Sequence, residues 1–121
     1  MVRGVHGHCT TVLVCDDGST DGSGEAAAAA GAVVLRHRRN EGKGVALRTL
    51  LAEAHRRGFR HAISMDADGQ HFPGDLPVFA AALIDEPGSM VLGVRDLIAA
   101  GAPPSSEFGR RSSNWWIWFE T

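Results

Sequence analysis

The sequence predicts an α/β domain with a mostly parallel sheet and flanking helices. Two observations favour this class. Short apolar runs rich in β-branched residues alternate with helix-favouring segments, and two of these runs end directly in aspartate-rich loops. The 121 residues are 44% hydrophobic and 21% charged, which is typical of ordinary globular proteins. This length allows one compact domain with one core.

The first half of the chain is predicted to form a βαβ unit followed by a long helix. The first apolar run stops at an aspartate pair, as a buried strand leading into a loop would. An alanine-rich segment then favours a helix that ends at Gly31. Further on, apolar residues recur at helical spacing and end near a pair of arginines. The predicted elements are strand 11–15, helix 25–30, strand 32–36 and helix 42–57.

The second half continues the alternation. An apolar run leads into the second aspartate-rich loop, and a glycine- and proline-rich loop precedes an aromatic tail. The predicted elements are strand 61–65, helix 75–84, strand 90–94, loop 99–106 and helix 108–121.

The charge and the cysteine content limit the classes of partner and the cellular compartment that we expect. A formal charge of -2 provides no general basic field, so a nucleic-acid partner is not expected. Cys9 and Cys15 fit neither a zinc site nor a disulfide framework. The sequence has no secretory signal and no apolar run long enough to span a membrane. We therefore expect a cytoplasmic chain that is at most peripheral to a membrane; its oligomeric state is not indicated.

The two aspartate-rich loops are expected to lie at one edge of the sheet, because both follow strand carboxyl ends. Carboxylates gathered there would repel one another unless a cation bridges them. Asp68 and Gln70 offer hard oxygen ligands, which suit Mg or Mn with a substrate diphosphate. Asp17 is the candidate for binding a base or ribose, and Asp16 for bracing its own loop. Each loop taken alone is equally typical of a plain turn.

Four motifs in this order resemble family 2 glycosyltransferases, and most of all their polyprenyl-phosphate, dolichyl-phosphate mannose synthase-like branch. The motifs are VCDDGSTDG at 14–22, NEGKG at 40–44, MDADGQH at 65–71 and GVR at 93–95. The resemblance implies a GT-A (Rossmann-like) fold, a nucleoside diphosphate sugar donor, and a metal held by Asp68, the second aspartate of the Asp-x-Asp motif at 66–68, together with Gln70. On residues alone, NEGKG predicts only the start of a helix, since the P-loop spacing is absent.

The resemblance also assigns site residues. Asp17 would bind the base beside the backbone of Cys15, Asp66 and Ala67 would contact the nucleotide sugar, and Arg111 would bind the diphosphate, with Arg95 a weaker candidate. The implied nucleotide-sugar-binding set is Cys15, Asp17, Asp66, Ala67, Asp68 and Arg111, and the implied metal ligands are Asp68 and Gln70.

The chain departs from the family at both ends. The usual first strand is not found in residues 1–10, and the acceptor-side segment with its catalytic base would follow residue 121. We therefore expect residues 1–121 to be a single partial catalytic domain, truncated at both ends, and assign no catalytic residue.

The resemblance implies inverting transfer to an acceptor such as a polyprenyl phosphate. The aromatic residues 115–119 would then lie at a membrane surface or pack as ordinary core. A noncatalytic nucleotide-sugar-binding fragment is the main alternative. Less favoured are a sugar nucleotidyltransferase and a haloacid dehalogenase-type phosphatase, in which Asp66 would be the nucleophile.

Overall fold

The computed structural model describes residues 1–68 and 71–93, and its first compact unit is Met1–Val91. Of the second unit, Leu92–Thr121, it describes residues 92 and 93. The elements of the first unit are α1 (Val2–His6), β1 (Leu13–Asp16), α2 (Ser23–Ala29), β2 (Val33–Arg36), α3 (Lys43–Arg56), a 3₁₀ turn (Pro73–Asp75) and α4 (Leu76–Asp85).

Strands β1 and β2 pair in parallel, in a register that runs from Leu13 opposite Val33 to Asp16 opposite Arg36. The backbone N–H of His37 extends the ladder by donating to the carbonyl of Asp16 (2.9 Å). The two strands therefore end level with each other. The side chains that follow them are brought to one edge of the sheet.

Helices α2 and α3 make the main contacts with this sheet. Helix α2 contacts both strands and α3 contacts β1, whereas α1 contacts the 3₁₀ turn. Among the described residues, the buried apolar side chains are Ala54 of α3 and Leu76 of α4. The predicted βαβ unit and both long helices are therefore confirmed, with element ends shifted by one or two residues.

Two predicted strands are not formed. Residues 61–65 and 90–93 have no regular secondary structure, and residue 94 lies outside the described part of the chain. Within that part, the sheet consists of β1 and β2. Ile63 and Met65 are still half-buried while the residue before each is exposed, so the apolar alternation corresponds to a partly buried face. A strand also requires a neighbour to hydrogen bond with its backbone, and apolar periodicity does not encode one.

Helix α1 lies in a segment for which the sequence predicts no element. No described helix is long and apolar enough to cross a membrane. The predicted loop 99–106 and helix 108–121, with the aromatic residues 115–119, lie outside the described residues.

The carboxylate of Asp16 ties the strand ends to α2. It is buried, with 1% of the side chain exposed, and accepts hydrogen bonds from the N–H and Oγ of Ser19 and from Nε of Arg36 (2.7 Å). Arg36 also donates to Glu25 of α2 (2.7 Å). A buried carboxylate is tolerated only when paired and hydrogen bonded, and these donors meet that need. The predicted role of Asp16 as a loop brace is confirmed.

We predict that Gly24→Ala destabilises the fold. A Cβ at Gly24 would collide with the Asp16 carboxylate and with the Arg36 guanidinium. The expected loss in the free energy of unfolding is about 1–3 kcal/mol, measured by urea unfolding. Gly44→Ala in α3 is the matched control, because a Cβ there meets nothing within 4 Å. The free energy of unfolding of this control variant should rise by about 0.5–1 kcal/mol. Equal stability of the two variants would contradict the account.

We also predict acid sensitivity from Asp16. The hydrogen bonds from Ser19, followed by the contact with Arg36, lower the pKa of this carboxyl from 3.8 to about 2. At acidic pH the unfolded chain binds the proton first, so stability should fall as the pH drops from about 4 to about 2. Asp16→Asn should be less stable at neutral pH and should lose part of this slope, in urea unfolding measured across the range. If the free energy of unfolding fell equally steeply with pH in Asp16→Asn and in the wild type, Asp16 would be excluded as a source of the acid sensitivity.

Candidate functional site

Asp17 follows β1 directly and is held by the segment that leads into α3. Its Oδ1 accepts hydrogen bonds from His37 Nδ1 (2.7 Å) and from the N–H of Glu41 (2.9 Å), and its Oδ2 accepts one from the N–H of Gly42 (2.8 Å). The Glu41 amide, followed by His37, holds the pKa of Asp17 below its usual range. Asp17 is therefore an ionised carboxylate in a fixed orientation.

Gly18 allows the two loops to approach closely enough for these bonds. Its φ is +77°, and a Cβ there would lie 2.6 to 2.8 Å from backbone atoms of Arg39 and Asn40. Only glycine satisfies both the left-handed backbone and the contact. The turn after β1 is thus built to lie against the loop after β2.

Asp66 lies against the same segment from the other aspartate-rich loop. Its Oδ2 accepts a hydrogen bond from Lys43 Nζ at 2.7 Å, and this contact is the main cause that lowers the pKa of Asp66. Lys43 is the first residue of α3 and follows the two residues whose amides bind Asp17. Residues 41–43 therefore contact both loops. The second loop does not follow a strand, so its predicted place at a strand carboxyl end is not confirmed.

Three of the edge carboxylates have basic partners within the protein. Asp16 pairs with Arg36, Asp66 pairs with Lys43, and Asp17 contacts His37. Arg36 and Lys43 offset the charges of Asp16 and Asp66, so repulsion among these carboxylates gives little separate argument for a bridging metal. A metal prediction consequently depends on Asp68 and Gln70 alone.

The remaining predicted site residues fall into three groups. Cys15 is half-buried, with Sγ 3.7 and 3.9 Å from the two ring nitrogens of His37, and burial, then Asp17 and Asp16, raise the pKa of its thiol. Ala67 and Asp68 are exposed in the second loop. Gln70, Arg95 and Arg111 lie outside the described residues.

Sequence reasoning missed three residues that shape this edge: His37, Lys43 and Thr49. Thr49 Oγ1 lies 3.0 Å from His37 Nε2, which joins the ring to α3. His37 comes directly after a strand, and ligands in such sheets bind beyond strand carboxyl ends, so the strand ends could have identified it. Lys43 and Thr49 belong to a predicted helix, and their partners are distant in sequence.

Comparison with known proteins matches residues 10–118 to Glycosyl transferase family 2. The chain is 38% identical over 84 residues to the uncharacterized protein MJ1222 of Methanocaldococcus jannaschii, a match that covers 69% of the chain and 35% of that protein. It is 35% identical over 63 residues to the UDP-N-acetylglucosamine--dolichyl-phosphate N-acetylglucosaminyltransferase of Methanococcus voltae. This match covers 52% of the chain and 25% of that protein.

No solved structure gives a significant match. The matched segments span about a third and a quarter of the two relatives' lengths. The family match, in contrast, takes in both aspartate-rich loops and the segment at 41–43 that joins them. On this match, the chain belongs to Glycosyl transferase family 2.

Proposed function

We propose that the edge formed by Asp17, residues 41–43 and Asp66 binds the donor of a glycosyl transfer, a nucleoside diphosphate sugar. The observation that carries the proposal is the convergence of both aspartate-rich loops on residues 41–43. Asp17, with 19% of its side chain exposed, is accessible enough to accept a hydrogen bond from a base or ribose. Asp66 and Ala67 would lie beside the sugar and diphosphate.

The diphosphate would be neutralised by a divalent metal and by arginine. We propose Asp68 and Gln70 as Mg or Mn ligands, since both offer hard oxygen atoms. Among the described residues there is no group of three or more His, Cys, Asp or Glu side chains able to hold a metal. Mg often binds through one or two protein oxygens and completes its shell with phosphates and water, so this donor set fits. Arg111 would pair with phosphate oxygens.

The reaction proposed is inverting transfer to a lipid phosphate. An acceptor phosphate oxygen would attack the anomeric carbon while the bond to the nucleoside diphosphate breaks on the opposite face. The named Methanococcus voltae relative is an N-acetylglucosaminyltransferase whose name pairs UDP-N-acetylglucosamine with dolichyl phosphate, which supports this class of acceptor. Because such an acceptor is already an anion, it needs little help from a catalytic base.

We predict that the chain binds UDP or GDP more tightly in the presence of Mn, measured by isothermal titration calorimetry. Asp68→Ala should remove most of the Mn enhancement, weakening binding by about tenfold or more, since a metal ligand is lost. Asp17→Asn should weaken binding with and without Mn. Asp85→Asn, exposed at the end of α4, is the control and should bind as the wild type does. If the chain bound neither UDP nor GDP, with or without Mn, the proposal would be overturned.

We further predict transfer of radiolabelled sugar from a UDP- or GDP-sugar to a polyprenyl phosphate, assayed by extraction into organic solvent with Mn. The matched control acceptor is the corresponding polyprenol, which lacks the phosphate nucleophile and should accept little. Asp68→Ala should reduce transfer by at least about tenfold, since the leaving diphosphate is no longer neutralised. Equal transfer to both lipids would contradict a phosphate acceptor, and binding without transfer would indicate a nucleotide-sugar-binding chain.

A further inference from the structure

The hydrogen bonds of Asp17 leave its two oxygens in different states. A carboxylate has about four acceptor positions, two on each oxygen. Oδ1 receives two described donors, His37 Nδ1 and the Glu41 amide, whereas Oδ2 receives one, the Gly42 amide. Within the described part of the chain, Oδ2 is therefore the oxygen with capacity for a further donor. A ligand N–H or O–H would bind there.

His37 is itself fixed at both ring nitrogens. The ionised Asp17 can only accept, so Nδ1 must carry the proton that it shares with Oδ1. Nε2 lies 3.0 Å from the hydroxyl of Thr49, which can donate to it. The ring thus forms a chain from α3 through the imidazole to Asp17, and with 13% of its side chain exposed it has little freedom to turn.

Cys15 restricts the ring from a third direction. Its Sγ is nearly equidistant from the two ring nitrogens, at 3.7 and 3.9 Å. Burial and the neighbouring aspartates raise the pKa of this thiol, which keeps it in the neutral form. Cys15 therefore packs beside His37 without adding charge to the edge.

We propose that His37 is a positioning residue for nucleoside recognition: it occupies Asp17 Oδ1 and so directs Oδ2 toward the base or ribose of the donor. This inference rests on the proposed function. Without the imidazole, Oδ1 would be open to water, and the carboxylate would be held by two backbone amides alone. A ligand would then have to order the carboxylate on binding, which costs affinity.

The test compares UDP and GDP affinities of the chain of residues 1–121 by titration calorimetry, over a series of Mn concentrations. His37→Ala should weaken nucleoside diphosphate binding by about tenfold, whereas the Mn concentration for half-maximal enhancement should stay unchanged. His37→Asn, whose amide can donate in place of Nδ1, should restore affinity to within about threefold of wild type. His55→Ala, an exposed histidine of α3, is the control and should match wild type.

Thr49→Val provides a second route if His37→Ala fails to fold. It keeps the shape of the side chain but removes the hydroxyl that orients the ring, so affinity should fall by about threefold. Wild-type affinity in His37→Ala, or in Thr49→Val, would overturn the inference. So would a His37→Asn variant as weak as the alanine variant, or a Mn midpoint that moves with the affinity. Failure of the wild type to bind any nucleoside diphosphate would instead overturn the proposed function, and this inference with it.

Discussion

The site depends on the parallel pairing that places Asp16 opposite Arg36 at the ends of two strands. This register buries one carboxylate against one guanidinium and brings the loops after both strands to the same level. Because a buried charge without its partner is costly, a slip of the two strands is disfavoured beyond the loss of packing. Asp17 and His37, the residues that follow each strand, then meet at 2.7 Å with no further adjustment. The same strand register therefore sets both the buried pair of Asp16 with Arg36 and the contact of Asp17 with His37.

The two neighbouring aspartates carry different tasks because their surroundings differ. Asp16 is buried and is bound by Ser19 and Arg36, so it supports the structure. Asp17 is partly exposed and bound mainly by amides, so it stays ionised and accessible. Backbone amides and an imidazole hold a carboxylate in place while bringing less net charge than an arginine would. This suits the role proposed for Asp17, which is to accept hydrogen bonds from a neutral base or ribose.

Periodicity and residue type predicted the βαβ unit, α3 and α4, which follow from local propensity. The two aspartate-rich loops do approach residues 41–43, but the second loop does so through the contact of Asp66 with Lys43 and not from the end of a paired strand. The sequence did not predict the contacts of His37 with Thr49 or of Lys43 with Asp66, because each pair is set by tertiary approach. Residues 61–65 show the opposite error: their apolar pattern is real, but a strand requires a paired neighbour, which no local pattern provides. The ligand-binding roles of all the site residues stay predictions, and Gln70 and Arg111 also lie outside the described residues.

The central claim is that both aspartate-rich loops and residues 41–43 form one donor site. Backbone amide NMR shifts of the isotopically labelled chain, recorded during titration with a nucleoside diphosphate and Mg, test it most directly. The account predicts saturable shift changes at Asp17, at residues 41–43 and at residues 66–68 with a common midpoint, and little change at the end of α4. Changes confined to one loop, or separate midpoints for the two loops, would contradict a single site.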